Sequence, residues 1–408
     1  MRQVAEPVTD RPAPEAGSLR GSNQSGMRAH NERLVLSLVR QQGALSKSDI
    51  ARMTGLSNQT VSVIMRSLET EGLLLRGEPV RGRIGQPSVP MSLAAEGAFF
   101  LGLKIGRRSA DLMLVDFLGQ VRATRREVYR YPTPSNVVAF VTRALPAVLA
   151  TLPPAHRDRV GGMGIAMPFQ LWNWVRYIGA PQSEMDQWRD RDVQAEIAAI
   201  AGMPVHVQND ATAACGAELV FGTGEKPKDF LYFYFGTFIG GGLVLNGQLF
   251  TGRTGNAGGV GPMPVPGPDG TLQRLFDVAS MSRLSEAMEA AGESSDHLWQ
   301  QHAEWRVSTP ILNDWLDQAA EGIAYAALSA AALIELEAVM IDGWMPACIR
   351  ADLTERTRNA LMRLDLSGVE PPQVRQGTVG ADARALGAAA IPLAQRYLID
   401  PNALTRDS

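Results

Sequence analysis

Cysteine is nearly absent from this chain: Cys215 and Cys348 are the only two among 408 residues. Two isolated thiols so far apart exclude a disulfide framework and a three- or four-cysteine zinc site, and they fit a reducing cytoplasm. Long hydrophobic runs are missing as well. The longest, from Gly322 to Ile334, ends at Glu335 and Glu337 and falls short of the roughly 20 residues that a membrane span needs, so it reads as a buried helix. The N-terminal segment lacks a signal-peptide pattern. A large charge of one sign is also lacking, since the net charge is −3.

With 45% hydrophobic residues the chain is not a disordered protein and is long enough for two or three globular units. Residues 1–29 are the exception. Pro7, Pro12, Pro14, Gly17, Gly21 and Gly26 among scattered serines predict a disordered tail there. The charge is unevenly divided. Residues 1–90 hold 12 Lys and Arg against 8 Asp and Glu, a balance of +4, which leaves 27 against 34, or −7, for residues 91–408. Only the basic head suits nucleic acid, and its affinity should fall as salt rises.

Residues 46–68 read as two short helices joined at a glycine. Ser46 with Asp49 three positions on can cap the first helix, Ala51 permits a close helix crossing, and Gly55 can take a left-handed backbone at the turn. Ser57 caps the second helix. Val61, Ile64, Met65 and Leu68 recur at three- and four-residue spacing and should face inward. That leaves Ser57, Asn58, Gln59, Thr60, Ser62 and Arg66 as candidates for base edges and phosphates. A solvated helical hairpin is the plain alternative. Leu34, Val35 and Leu38 within residues 31–40 predict a third helix that completes a small core. The segment Arg81-Gly82-Arg83-Ile84-Gly85-Gln86 looks like a basic wing, with Arg81, Arg83 and Gln86 as further DNA contacts; a flexible basic linker is the alternative. Residues 30–92 thus read as a winged helix-turn-helix.

From about residue 96 the pattern changes to buried strands, turns and helices. Two strands around a turn are expected over 98–106 and 109–116, then a helix through 137–152, and a buried strand from 160 running into a loop at Pro168. A strand-to-helix junction lies at His206-Val207-Gln208-Asn209-Asp210-Ala211. A hairpin follows, with Phe230–Phe235 as one arm, a glycine turn over 236–242, and a second arm over 243–245. The doubled plan predicts two α/β lobes with a cleft between them.

The order of these pieces resembles the ROK family of repressors, open reading frames and kinases. The resemblance rests on the winged head, the paired opening strands, Asn209-Asp210-Ala211-Thr212-Ala213-Ala214 with Glu218, and the glycine hairpin. It continues through the stretch from Asn246 to Gly261, which includes Thr254-Gly255-Asn256-Ala257-Gly258-Gly259, and closes at Leu386-Gly387-Ala388-Ala389. It implies an α/β fold: an N-terminal winged helix-turn-helix, then a two-lobed actin-like ATPase (ribonuclease H-like) fold. Residues 96–208 would form lobe I, completed by 385–408, and residues 209–384 lobe II.

Departures from the family pattern bear on function. Kinases of the family carry an acidic residue and small residues on the first hairpin, to hold the metal and phosphates of ATP; here the segment is Lys104-Ile105-Gly106-Arg107-Arg108. Phe238 stands where the second phosphate loop has a glycine. The sugar-binding Glu-x-Gly-His is replaced by Gly259-Val260-Gly261-Pro262, and Pro264 to Thr271 contains no cysteine, so no metal and no cofactor are expected. Asp210 matches the position of the kinases' general base, and Asn209, Asp210 and Gln182 are the candidate ligand contacts. Asn209 and Asp210 can equally serve as a helix cap, and Trp172, Trp174 and Trp188 are either sugar-stacking or core residues. Lys104, Arg107 and Arg108 point to an anionic group or to plain surface charge.

The expectation is therefore a cytoplasmic DNA-binding transcriptional regulator and not an enzyme. It would be a repressor of carbohydrate-related genes that reads a palindromic operator in double-stranded DNA as a homodimer or tetramer, without a membrane partner. A sugar or sugar derivative would be the effector. The alternatives are an active carbohydrate kinase and a dimeric repressor that needs no ligand.

Overall fold

The computed structural model describes residues 24–79, 88–173, 175, 179–267, 269–300 and 302–399. In the head, α1 (Gln24–Gln42), α2 (Lys47–Thr54) and α3 (Asn58–Thr70) precede an antiparallel pair, β1 (Leu74–Arg76) and β2 (Met91–Leu93). Ser46 caps α2: its hydroxyl accepts from the Asp49 amide at 3.2 Å and donates to the Asp49 carboxylate at 2.6 Å. Gly55 ends α2 at φ +70°, a left-handed backbone that lets the chain turn sharply into α3. Val61, Ile64, Met65 and Leu68 are buried, as their spacing predicts.

Two details of α1 differ from the sequence expectation. The helix begins at Gln24, inside the stretch expected as tail. Its buried stripe is Val35, Leu36 and Val39, while Leu34 and Leu38 are only half-buried. The stripe is rotated because α1 serves two neighbours: it packs on α3 and also on the body, where the Ile399 amide donates to the Ser37 hydroxyl at 3.0 Å. Residues 1–23 and the expected wing contacts Arg81, Arg83 and Gln86 lie outside the described residues.

The body contains two five-stranded sheets of identical plan. The first comprises β3 (Phe99–Ile105), β4 (Ser109–Asp116), β5 (Val121–Val128), β6 (Val160–Met167) and β7 (Val205–Asn209), in the order β5-β4-β3-β6-β7. The second comprises β8 (Phe230–Phe235), β9 (Ile239–Leu245), β10 (Gln248–Phe250), β13 (Ala338–Gly343) and β14 (Gln373–Gln376), in the order β10-β9-β8-β13-β14. Each is an antiparallel meander of three strands extended by two parallel ones. A small antiparallel hairpin, β11 (Pro264–Pro266) with β12 (Leu272–Arg274), stands apart from both sheets.

Period-two alternation explains how each central strand is covered on both faces. In β3, Phe99, Leu101, Leu103 and Ile105 pack with the helix Pro134–Leu149. Phe100, on the other face, joins the core shared with the C-terminal helix Ala383–Tyr397 and the head. In β8, Leu231, Phe233 and Phe235 face the long helix Thr309–Ala331, whereas Phe230, Tyr232 and Tyr234 face the helix Asp210–Phe221.

The helices Asp210–Phe221 and Ala383–Tyr397 lie between the sheets and on each other. Their approach requires glycine. A Cβ on Gly387 would stand 1.9 Å from the Ala213 carbonyl oxygen, and one on Gly164 would stand 1.9 Å from that of Ala388. The hairpin turn after β8 is shorter than its glycine content predicts, because β9 already begins at Ile239. Gly240 and Gly242 belong to the strand, where Cβ atoms would meet the Ala211 and Cys215 side chains at 2.7 and 2.4 Å. These glycines serve helix packing rather than the turn.

Candidate functional site

A cleft of about 540 Å³ opens between the two lobes, over the start of the helix Asp210–Phe221. Asn209 ends β7 and caps that helix, its side-chain oxygen accepting from the Ala211 and Thr212 amides at 3.0 and 3.2 Å. Both Asn209 and Asp210 line the cleft. The capping role that sequence left open is thus filled by Asn209, and the Asp210 carboxylate faces another partner. Arg384, in the first turn of the C-terminal helix, approaches Asp210 Oδ2 at 3.3 Å.

Arg384 stands over the ring of Tyr234 at 5.1 Å. Burial works against its charge, but the neighbouring Tyr234 and Asp210 outweigh burial and raise its pKa. Burial drives the Tyr234 phenol up to about 12, against the pull of Arg384, so the ring stays neutral. Lys104 is buried on β3. Its ammonium reaches the Ser109 hydroxyl and the Asp111 carboxylate, each at 2.7 Å. Burial, seconded by the charge of Arg384, lowers its pKa to about 8 despite Asp111.

Arginines from the first sheet reach aromatic rings of the second lobe. Arg107 lies over Phe238, Arg108 over Trp299 and Arg126 over Trp344, each guanidinium 5.2 Å from the ring centroid. Phe238 continues onto Phe276, stacked at 4.5 Å, and Arg274 covers Phe276 from 5.3 Å. Phe238 is therefore in contact with both a guanidinium and a second ring.

The remaining sequence candidates divide clearly. Gln182 is not among the residues lining the cleft; it is exposed, and its amide donates to the Trp172 carbonyl oxygen at 3.2 Å and to Asp186 at 2.8 Å. Trp188 is a core residue whose indole donates to the Pro132 carbonyl oxygen, and Trp172 packs against the same core beneath Arg189. Trp174 lies outside the described residues. Sequence reasoning missed Phe169, Asn173 and Arg384 as cleft residues. Arg384 stands two positions before the Leu386-Gly387-Ala388-Ala389 motif, and that adjacency was the available signal. Among the described residues no group of three or more His, Cys, Asp or Glu is placed to hold a metal ion.

On the head, Asn58, Gln59 and Arg66 are exposed on α3, and Thr60 and Ser62 are half-buried. The Ser57 hydroxyl is engaged as the cap of α3, accepting from the Thr60 amide at 3.1 Å. Val63, four residues after Gln59 and 57% exposed, shares that outward face and was not anticipated.

The two ends of the body are joined by the two central helices. Both begin at the cleft, with Asp210 and Arg384. At their far ends Val220, Leu393 and Tyr397 pack into one core with Val35, Leu36 and Val39 of the head. Arg40 of α1 lies over the rings of Phe117 and Phe221 at 5.0 and 6.0 Å. Buried Glu218 ties the first of these helices to the approach of the second, accepting from the Thr378 and Val379 amides at 2.9 and 3.1 Å.

Residues 100–395 match the ROK family, and residues 28–74 match the winged helix-turn-helix DNA-binding family. The chain belongs to the ROK family. It is 26% identical over 373 residues to the uncharacterized protein y4fQ of Sinorhizobium fredii, covering 90% of this chain and 91% of that one. It is 23% identical over 244 residues to a xylose repressor of Bacillus spizizenii, covering 60% of this chain and 62% of the repressor. In structure it is similar to a ROK family transcriptional regulator described as a homolog of the E. coli MLC protein, at TM-score 0.63 and 18% identity, over 91% of this chain and 97% of that one. That likeness establishes the fold: a winged helix-turn-helix on a two-lobed actin-like body. Among the described residues no helix is long and apolar enough to cross a membrane.

Proposed function

We propose that the protein is a transcriptional repressor of carbohydrate-related genes whose body senses a small polyol and whose head reads DNA. One observation carries the reading: two packed helices run from the cleft pair Asp210 and Arg384 to a core shared with the DNA-reading head. At 1.5 Å per residue they span about 18 and about 22 Å, so a shift at their first turns is delivered to α1 without passing through loops. A ligand that favours one arrangement of this pair biases the head by its differential affinity for the two states.

The winged helix-turn-helix supports double-stranded DNA as partner, and the exposed Asn58, Gln59 and Arg66 suit base edges and phosphates. Two heads related by a two-fold axis would read a palindrome in the cytoplasm, with half-sites about 10 base pairs apart or multiples of that. The wing residues Arg81, Arg83 and Gln86 would flank α3 in that complex.

Phosphoryl transfer is disfavoured by the same geometry. A general base must be free to take a proton from the sugar hydroxyl, whereas Asp210 is paired with Arg384. Lys104 replaces the acid at the metal position, and Phe238 with Arg107 occupies the phosphate loop.

The reading is tested by selecting genomic fragments with the purified protein and titrating the recovered site against sugars and polyols at fixed salt. A palindromic site that one compound releases or tightens, with the response lost in Asp210→Ala, is the expected result. Specific binding indifferent to every compound would leave a ligand-independent dimeric repressor. Sugar-dependent ATP consumption would restore the kinase.

A further inference from the structure

The cleft contains more positive than negative side chains: Arg107, Arg274 and Arg384 face it, against Asp210. Its lining combines two chemistries. Phe169 lies against Gly255, where a Cβ would meet the ring at 3.2 Å, and Asn256 folds over Gly259, whose Cβ would stand 3.1 Å from the amide nitrogen. Arg384 lies beside Gly236, where a Cβ would stand 3.4 Å from the guanidinium. Phe238, in the same loop as Gly236, brings in Arg107 from the opposite lobe.

Arg384 is incompletely used. Its Nε is buried without a hydrogen-bond partner among the described residues. Its link to Asp210, at 3.3 Å, is longer than the roughly 2.7–2.9 Å of a strong charge-assisted bond. A guanidinium presents five N–H donors in a planar fork matched to carboxylate and phosphate oxygens.

We propose that the cleft takes an anionic carbohydrate, a polyol bearing a carboxylate or phosphate group, with the anion on the fork of Arg384. Arg107 adds positive potential from lobe I, and Asn256, which also lines the cleft, receives hydroxyls. The anion replaces Asp210 as the partner of Arg384, and the released Asp210 carboxylate accepts a ligand hydroxyl. This inference rests on the effector-sensing reading above and names the class of effector. It also gives that reading a trigger, since the exchanged pair stands at the first turns of both helices that run to the head.

The test is calorimetric titration of the full chain, without DNA, using glucuronate, glucose 6-phosphate, glucose and inorganic phosphate. One of the two anionic sugars should bind at least about tenfold tighter than glucose and than phosphate alone, and which of them does so separates carboxylate from phosphate. Arg384→Gln should remove that preference. Arg107→Gln, which leaves the Asp210 contact intact, should reduce it and stands in should the first variant fail to fold. Equal binding of neutral and anionic sugars, no binding of any of the four, or unchanged preference in both variants would overturn the inference. Binding without DNA keeps the outcomes distinct: an operator released by a neutral sugar alone sinks the anionic class and spares the regulator, whereas tight anion binding without operator response does the reverse.

Discussion

Arg40, near the end of α1, donates a 2.6 Å hydrogen bond to the backbone carbonyl oxygen of Phe117 on the body. Burial lowers the Arg40 pKa to about 10, partly offset by Asp116, so a charged group is held at the seam where head and body meet. Phe221, the last residue of the helix that starts at Asp210, lies 6.0 Å from the same guanidinium. In Arg40→Met the apolar stem remains while the hydrogen bond is lost. The expected cost is about 1–3 kcal/mol of stability, measured by denaturant unfolding. If the seam transmits the signal, this variant binds operator DNA normally by fluorescence anisotropy but responds less to ligand. Loss of DNA binding with an intact ligand response would place the role of Arg40 in the head alone.

The outward face of α3 separates two kinds of DNA contact. Arg66 is exposed one turn from the end of that helix, and Arg66→Ala should weaken binding to all sequences alike and reduce the slope of log K against log salt by about 1. Gln59 and Val63 share the face nearer its start. Gln59→Ala should change preference between bases at one position by about 1–3 kcal/mol with the salt slope kept. Arg83→Ala in the same titration tests the wing, with the Arg66 pattern expected. Competition among operator variants at several salt concentrations distinguishes the two signatures.

Lys104 gives the body a pH dependence of definite sign. In the folded chain its amine has a pKa near 8 against 10.5 for the free side chain, chiefly because it is buried. The charged form is disfavoured by folding, so below about pH 8 the whole penalty is present. Between about 8 and 10.5 the unfolded chain binds more protons than the folded one, and this group's contribution to stability rises with pH. Lys104→Met has no amine to titrate. Thermal unfolding between pH 7 and pH 10 should therefore show the variant falling behind the parent as pH rises. Parallel curves would mean that Lys104 titrates normally in the fold.

Much of the architecture was legible because it depends on local patterns. The caps at Ser46 and Ser57, the left-handed Gly55 and the inward stripe from Val61 to Leu68 follow from short-range chemistry. The doubled sheet followed from two strand, glycine and helix sequences in the same order. What was not legible depends on contacts distant in sequence. Arg384 meets Asp210 across 174 positions, and no local pattern distinguishes it from a solvated arginine in the first turn of a helix. Gln182 shows the reverse, since its amide donates to Trp172 and Asp186 close by in the chain. The rotated stripe on α1 reflects the body's C-terminal segment, more than 300 residues away in the chain.

The small-residue contact between the two central helices is one of the two tightest backbone contacts among the described residues, equal to that of Gly164. A methyl group on Gly387 would fall 1.9 Å from the Ala213 carbonyl oxygen and 3.0 Å from the Ala214 amide nitrogen. Both atoms are backbone, so no side chain can swing aside, and the helices must separate. Overpacking of this kind costs about 1–3 kcal/mol, occasionally more, and Gly387→Ala should lower stability by at least that amount. The separation also moves Asp210 relative to Arg384, because each stands on one of the two helices. Ligand affinity measured on the folded variant should fall together with stability. A control at Gly368, which has open space around its Cβ but a left-handed φ of +81°, should lose stability through backbone strain and keep its ligand affinity. Equal loss of affinity in both variants would mean that general destabilisation, and not helix spacing, governs the cleft.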